Sequence, residues 1–105
     1  MSPTFVRVVV KIANADKEAE RVTFDYNPHG LDLRITDIIC FGDIHLQVKE
    51  RRVHVPPTDD APLIVLHTGV TDRRPQDRLY APELVAALKT FPAVKAIVRG
   101  TYAQH

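Results

Sequence analysis

The chain has 105 residues, a length that suits one domain over 1–105 and leaves no room for a second of normal size. With 45% hydrophobic and 26% charged residues it falls outside the disordered, collagenous and disulfide-stapled classes. Fourteen Lys and Arg against thirteen Asp and Glu leave a formal charge of +1, so nucleic acid is not the default partner and any phosphate contact needs a local patch.

Residues 1–12, MSPTFVRVVVKI, are apolar but interrupted by Arg7 and Lys11, which does not match the apolar stretch of a secretory signal. No window approaches the roughly 18 apolar residues of a membrane-spanning helix. Val6, Val8, Val10 and Ile12 alternate with Phe5, Arg7, Val9 and Lys11, the period of a β-strand. The polar ANADKEAE that follows lacks an apolar stripe and reads as a loop.

RVTFDY and LDLRI then read as two alternating strands around the turn NPHG, with Pro28 and Gly30 at turn positions. Pairing Tyr26 with Leu31, Phe24 with Leu33 and Val22 with Ile35 gathers six apolar side chains on one face. His29 falls at the tip of that turn as a solvated residue. Cys40 is the only cysteine, which excludes an intramolecular disulfide and favours an intracellular, cytoplasmic setting, or a virion if the protein is viral. Its neighbours Ile39 and Phe41 suggest an apolar environment that leaves the thiol inert.

A second hairpin is expected over residues 42–57, GDIHLQVKERRVHVPP, with Glu50 and Arg51 at the turn, Val48 opposite Val53 and Leu46 opposite Val55. That register brings His45 and His54 diagonally together on the polar face, about 7–8 Å apart. Two histidines fall short of the three or four ligands of a zinc site, and the nearby Gln47, Lys49, Asp43 and Glu50 are poor additions. A surface hairpin is therefore preferred to a metal site at His45 and His54. Lys49, Arg51 and Arg52 form a short basic cluster, which reads first as a solvated tip and second as a contact for a phosphate or an acidic partner. Arg73, Arg74 and Arg78, partly offset by Asp72 and Asp77, add a second such segment.

PPTDDAP at 56–62 is a stiff connection, and Asp59 and Asp60 within it suit a turn better than acid–base chemistry. LIVLHTGV reads as a central strand apolar on both faces, with His67 as a hydrogen-bonded structural residue near its end. APELVAALKTF is the one convincing helix: Pro82 fits the first turn, Leu84, Val85, Leu88 and Phe91 form a stripe, and Pro92 stops it. AVKAIVRGTYA supplies a last strand, in which Gly100 marks a bulge or an end.

The sum is an α+β domain, mainly antiparallel, with about seven strands in a sandwich or partly open barrel and one helix near the C-terminus packed on the sheet. The first strand and the last two, apolar on both faces, belong in its middle and the two hairpins project at its periphery. There is no phosphate-binding glycine loop, Gly-x-Ser-x-Gly, His-Glu-x-x-His or Cys-x-x-Cys, and no cofactor is implied. A cysteine nucleophile assisted by a histidine is a minor alternative. Compact β-rich domains with one helix occur among phage tail-tube and head-tail connector subunits, an analogy of shape that carries no residues over.

The leading expectation is a non-catalytic protein-interaction or assembly module, such as a viral subunit or a small protein inhibitor, that pairs with itself or with a protein partner through its hairpins. The other is a small protein or enzyme that holds a phosphate-bearing ligand or RNA through Arg51, Arg52, Arg73, Arg74 and a histidine, with affinity that falls with salt.

Overall fold

Six strands and one helix follow one another along the residues that the computed structural model describes, 5–13, 19–71 and 80–101: β1 (Val6–Ala13), β2 (Ala19–Tyr26), β3 (Ile38–Phe41), β4 (Ile44–His54), β5 (Leu63–Thr71), α1 (Ala81–Leu88) and β6 (Val94–Thr101). At Ala13 and Thr101 only the backbone is described. β-Branched residues build β1, whose Val6, Val8, Val10 and Ile12 all point into the core. β2 returns antiparallel, and Val22, Phe24 and Tyr26 fall opposite Val10, Val8 and Val6, so two apolar rows coincide.

This pairing rules out the hairpin expected at NPHG. β2 has β1 on one edge and β6 on the other, which leaves no edge for residues 31–35. The chain instead makes a type I′ turn in which Leu31 N–H donates to Pro28 O at 3.0 Å and His29 and Gly30 take φ of 51° and 83°. It then crosses to β3 with Leu33 packed on the core and Leu31 and Ile35 exposed.

β3 and β4 form a tight hairpin through Gly42 and Asp43, a pair that the apolar alternation of DIICFGDIHL was too short to announce. Ile39 and Phe41 point inward; Cys40 lies on the other face and is exposed, not sheltered among its apolar neighbours. β4 then runs on through Glu50 and Arg51 to His54, paired along its length with β5, so the second expected hairpin is also absent. The true turn of that arm is residues 55–62, nearly all exposed.

β5 lies parallel to β1 on its free edge, and the sheet order is β3-β4-β5-β1-β2-β6. The sheet is thus mixed, not purely antiparallel, and has six strands in place of about seven: the expected strand at 31–35 is irregular, the two arms of the second hairpin are one strand, and β3 is added. β5 and β1 are central, as expected from their doubly apolar pattern, and Val9 and Val65 are buried on the face away from the core. β6, expected in the middle, is an edge strand. One extra residue opposite Phe24, with Ala96 at φ 56°, shifts its register and leaves Val98 60% exposed on the outer face.

The sheet curls into a half-barrel, and aromatic contacts bring its far strands together. The Phe41 ring of β3 meets Phe24 and Tyr26 of β2 edge-to-face at 5.8 and 5.4 Å, and Phe91 beyond α1 at 5.3 Å. α1 covers the concave side near β2 and β6, with Ala81, Leu84 and Leu88 fully buried. No side chain caps its first turn, so this short helix depends on docking for stability.

Candidate interaction site

β4 carries the feature that builds the site. Val48 pairs with Thr68 and Glu50 with His67, leaving Lys49 as an extra residue in the ladder. Beyond this bulge Arg51 falls opposite Leu66 and Val53 opposite Ile64, on the concave face, while Glu50, Arg52 and His54 occupy the convex one. α1 and the aromatic cluster cover the concave face at its other end. Here Val53 remains 48% exposed and Val55, just past the strand, 77%.

A tight turn forms the second wall. Thr36 N–H donates to Val48 O and Val48 N–H to Asp37 O, both at 2.8 Å, which pins residues 36 and 37 to β4 at the bulge. Residues 34–37 close as a type II turn, with Asp37 N–H donating to Arg34 O at 3.0 Å and the Asp37 carboxylate accepting from Arg34 N–H at 2.8 Å. Such a turn requires positive φ at its third residue, and Thr36 supplies 79° despite its branched Cβ. The turn presents Arg34 and the 55%-exposed Ile35 toward Arg51.

Asp32, Arg34, Ile35 and Arg51 line an open cavity of about 610 Å³. The Asp32 carboxylate accepts a hydrogen bond from Arg34 Nε at 2.8 Å and has Arg51 Nη2 at 3.9 Å from its other oxygen. One carboxylate thus lies between two guanidinium groups, firmly held by one and loosely by the other. Leu31, 66% exposed, adjoins Asp32 in the chain.

The basic cluster read from the sequence is therefore divided. Arg51 belongs to the cavity. Lys49 lies at the bulge and donates to Gln47 Oε1 at 2.8 Å, and Arg52 Nε donates to Glu50 Oε1 at 2.7 Å on the convex face. The Arg52 hydrogen bond, helped by the charges of Arg52 and His67, holds the Glu50 carboxyl below its ordinary 4.5. Arg73, Arg74 and Arg78 lie outside the described residues.

His45 and His54 are not brought together. They lie on one strand nine residues apart, which at strand rise separates them by on the order of 30 Å. Their expected diagonal contact needed a turn at Glu50 and Arg51 that the continuous strand replaces. Among the described residues no three His, Cys, Asp or Glu converge as metal ligands, and no helix is long and apolar enough to cross a membrane. His29 is exposed in its turn, its N–H donating to Asn27 Oδ1 at 2.9 Å, and His67 lies half-buried opposite Glu50.

Asp32, Arg34 and Ile35 are site residues that sequence reasoning passed over. Their alternation suited a strand, and the turn that Arg34 and Ile35 open contains no glycine to betray its positive φ. No family model, no curated protein and no solved structure matches the chain.

Proposed function

We propose that the chain is a non-catalytic protein-interaction module whose contact surface is the uncovered end of the concave face. The observation that carries this reading is the grouping of exposed Ile35 with Asp32, Arg34 and Arg51 around one open cavity, with the exposed Val53 two residues beyond Arg51 on the same face of β4. Exposed apolar side chains beside arginines suit an interface, whose buried centre is more apolar than the rest of the surface and in which Arg is enriched. The β4–β5 arm takes the role that the sequence assigned to other hairpins, since its outer end projects beyond the ladder that β1 makes with β5.

Selection of binders to the intact chain from a random peptide display library tests this reading. Enriched peptides are expected to lose binding to an Ile35→Asp, Val53→Asp variant that retains its circular dichroism. A chain that selects no peptide, or whose peptides ignore both changes, would overturn it, as would a measurable catalytic turnover.

The cavity also favours a second reading, in which Arg34 and Arg51 hold a phosphate-bearing ligand. Its volume lies within the roughly 300–1,000 Å³ of small-molecule sites. Binding of inorganic phosphate or single-stranded RNA that weakens steeply with salt and is lost in Arg34→Gln, Arg51→Gln is the outcome this reading expects.

A further inference from the structure

We infer that the outer edge of β4, from Glu50 to His54, accepts one extended acidic segment of a partner protein, with a partner carboxylate between Arg34 and Arg51. This rests on the interaction reading above and names both the partner's chemistry and its mode of binding.

The edge is the first observation. β3 pairs only with Ile44–Gln47, and residues 36 and 37 engage Val48. Past the bulge, the described residues place a strand beside Glu50–His54 on the β5 side alone. Five residues of open edge match the length of an ordinary strand. Main-chain hydrogen bonds along such an edge supply affinity, and side chains on alternate faces supply selectivity.

The charges choose the occupant. Lys49, Arg51 and Arg52 lie along the edge and Arg34 beside it, against Glu50 and Asp32. A second copy paired antiparallel about the centre of this edge would set Arg52 against Arg52, and like charges directly opposite are destabilising. The bulge further disturbs a flat strand-to-strand fit. The same charges that hold copies apart attract an acidic strand, so repulsion of the wrong partner and attraction of the right one have one origin.

Asp32 shows what the cavity accepts. Its carboxylate already sits between the two guanidinium groups, 2.8 Å from Arg34 Nη2 and 3.9 Å from Arg51 Nη2. A partner carboxylate competes for that place, and the apolar residue two positions along the same strand falls toward Val53. Asp59 and Asp60 at the tip of the arm repel a second acidic group there, which confines the acidic residue to the Arg51 end.

The probe is a blocked ten-residue peptide of alternating Val and Thr with one central Glu, compared with its Lys counterpart and with two forms N-methylated on alternate sets of backbone amides. Affinity is read by calorimetry on the intact chain, and amide hydrogen exchange reports on residues 50–54. The Glu peptide is expected to bind, the Lys peptide to bind at least about tenfold more weakly, and one of the two N-methylated forms to fail while the other binds. Arg51→Gln weakens the Glu peptide, and Asp32→Asn, which removes the internal competitor, strengthens it; a purely structural Asp32 would not produce that gain. Residues 50–54 become protected from exchange in the complex.

Equal affinity of the Glu and Lys peptides, unchanged binding of both N-methylated forms, absent protection at 50–54, or no binding at all overturns strand addition. Binding of phosphate or RNA at Arg34 and Arg51 in place of the peptide overturns it in favour of a phosphate site. Library binders that need Ile35 and Val53 but leave residues 50–54 unprotected overturn this inference and spare the broader one.

Discussion

Thr36 holds the most unfavourable backbone geometry at the site, a β-branched residue at φ 79° where glycine is the ordinary occupant. The turn tolerates it because Asp37 bonds Arg34 through both backbone and carboxylate while residues 36 and 37 are clamped to Val48. Relieving that strain without touching the clamp is expected to stabilise the fold. Thr36→Gly should raise the free energy of unfolding in urea by about 1 kcal/mol, a gain set by left-handed strain and reduced by the entropy of a free glycine. A loss instead would mean that the Thr36 side chain contributes contacts that exceed its strain. At this scale the sequence was least legible: a turn without Gly, Asn or Pro at its critical positions offers no signal, so Asp32, Arg34 and Ile35 read as strand.

Among the elements, β4 teaches most. Its apolar residues follow one phase through Ile44, Leu46 and Val48 and the opposite phase at Val53 and Val55. A hairpin turn and a one-residue bulge both produce such a switch, and the charged Glu50 and Arg51 made the turn the natural reading. The bulge is selected by β5, a long partner that offers a ladder on both sides of it. Deleting Lys49 should then leave Arg51 opposite Leu66 and Val53 opposite Ile64, with cooperative unfolding retained. If β4 depended on regular alternation through Lys49, the deletion would turn every later side chain to the other face and abolish the fold. α1 is the converse case, legible from its prolines and apolar stripe because its signals are local. Its stability nevertheless comes from burial, and Leu84→Ala, at a fully buried position, should lower stability by about 2–5 kcal/mol in urea unfolding.

For the molecule as a whole, edges govern behaviour. The half-barrel closes through the Phe41 cluster and not through a ladder between β3 and β6, so edge strands remain. Arg51 and Arg52 lie on the β4 edge, where like charges would oppose the pairing of two copies. Arg51→Thr combined with Arg52→Thr is expected to raise the weight-average mass by light scattering as concentration increases, relative to the unaltered chain. An unchanged mass would show that other features protect this edge.

The amino-acid sequence by itself determined what local periodicity and composition can carry: a β-rich α+β domain, strands at β1, β2, β5 and β6, and the helix, whereas the doubly apolar pattern placed β1 and β5 at the centre but β6 there as well, where it is an edge. Tertiary structure alone decided which strands are neighbours, that β1 and β5 run parallel, and that Arg51 shares a cavity with Asp32, Arg34 and Ile35 while His45 and His54 lie far apart. Alternation specifies which side chains share a face, but a strand's two edges carry the same backbone donors and acceptors. Only the competition of all strands for those edges decides which of them meet.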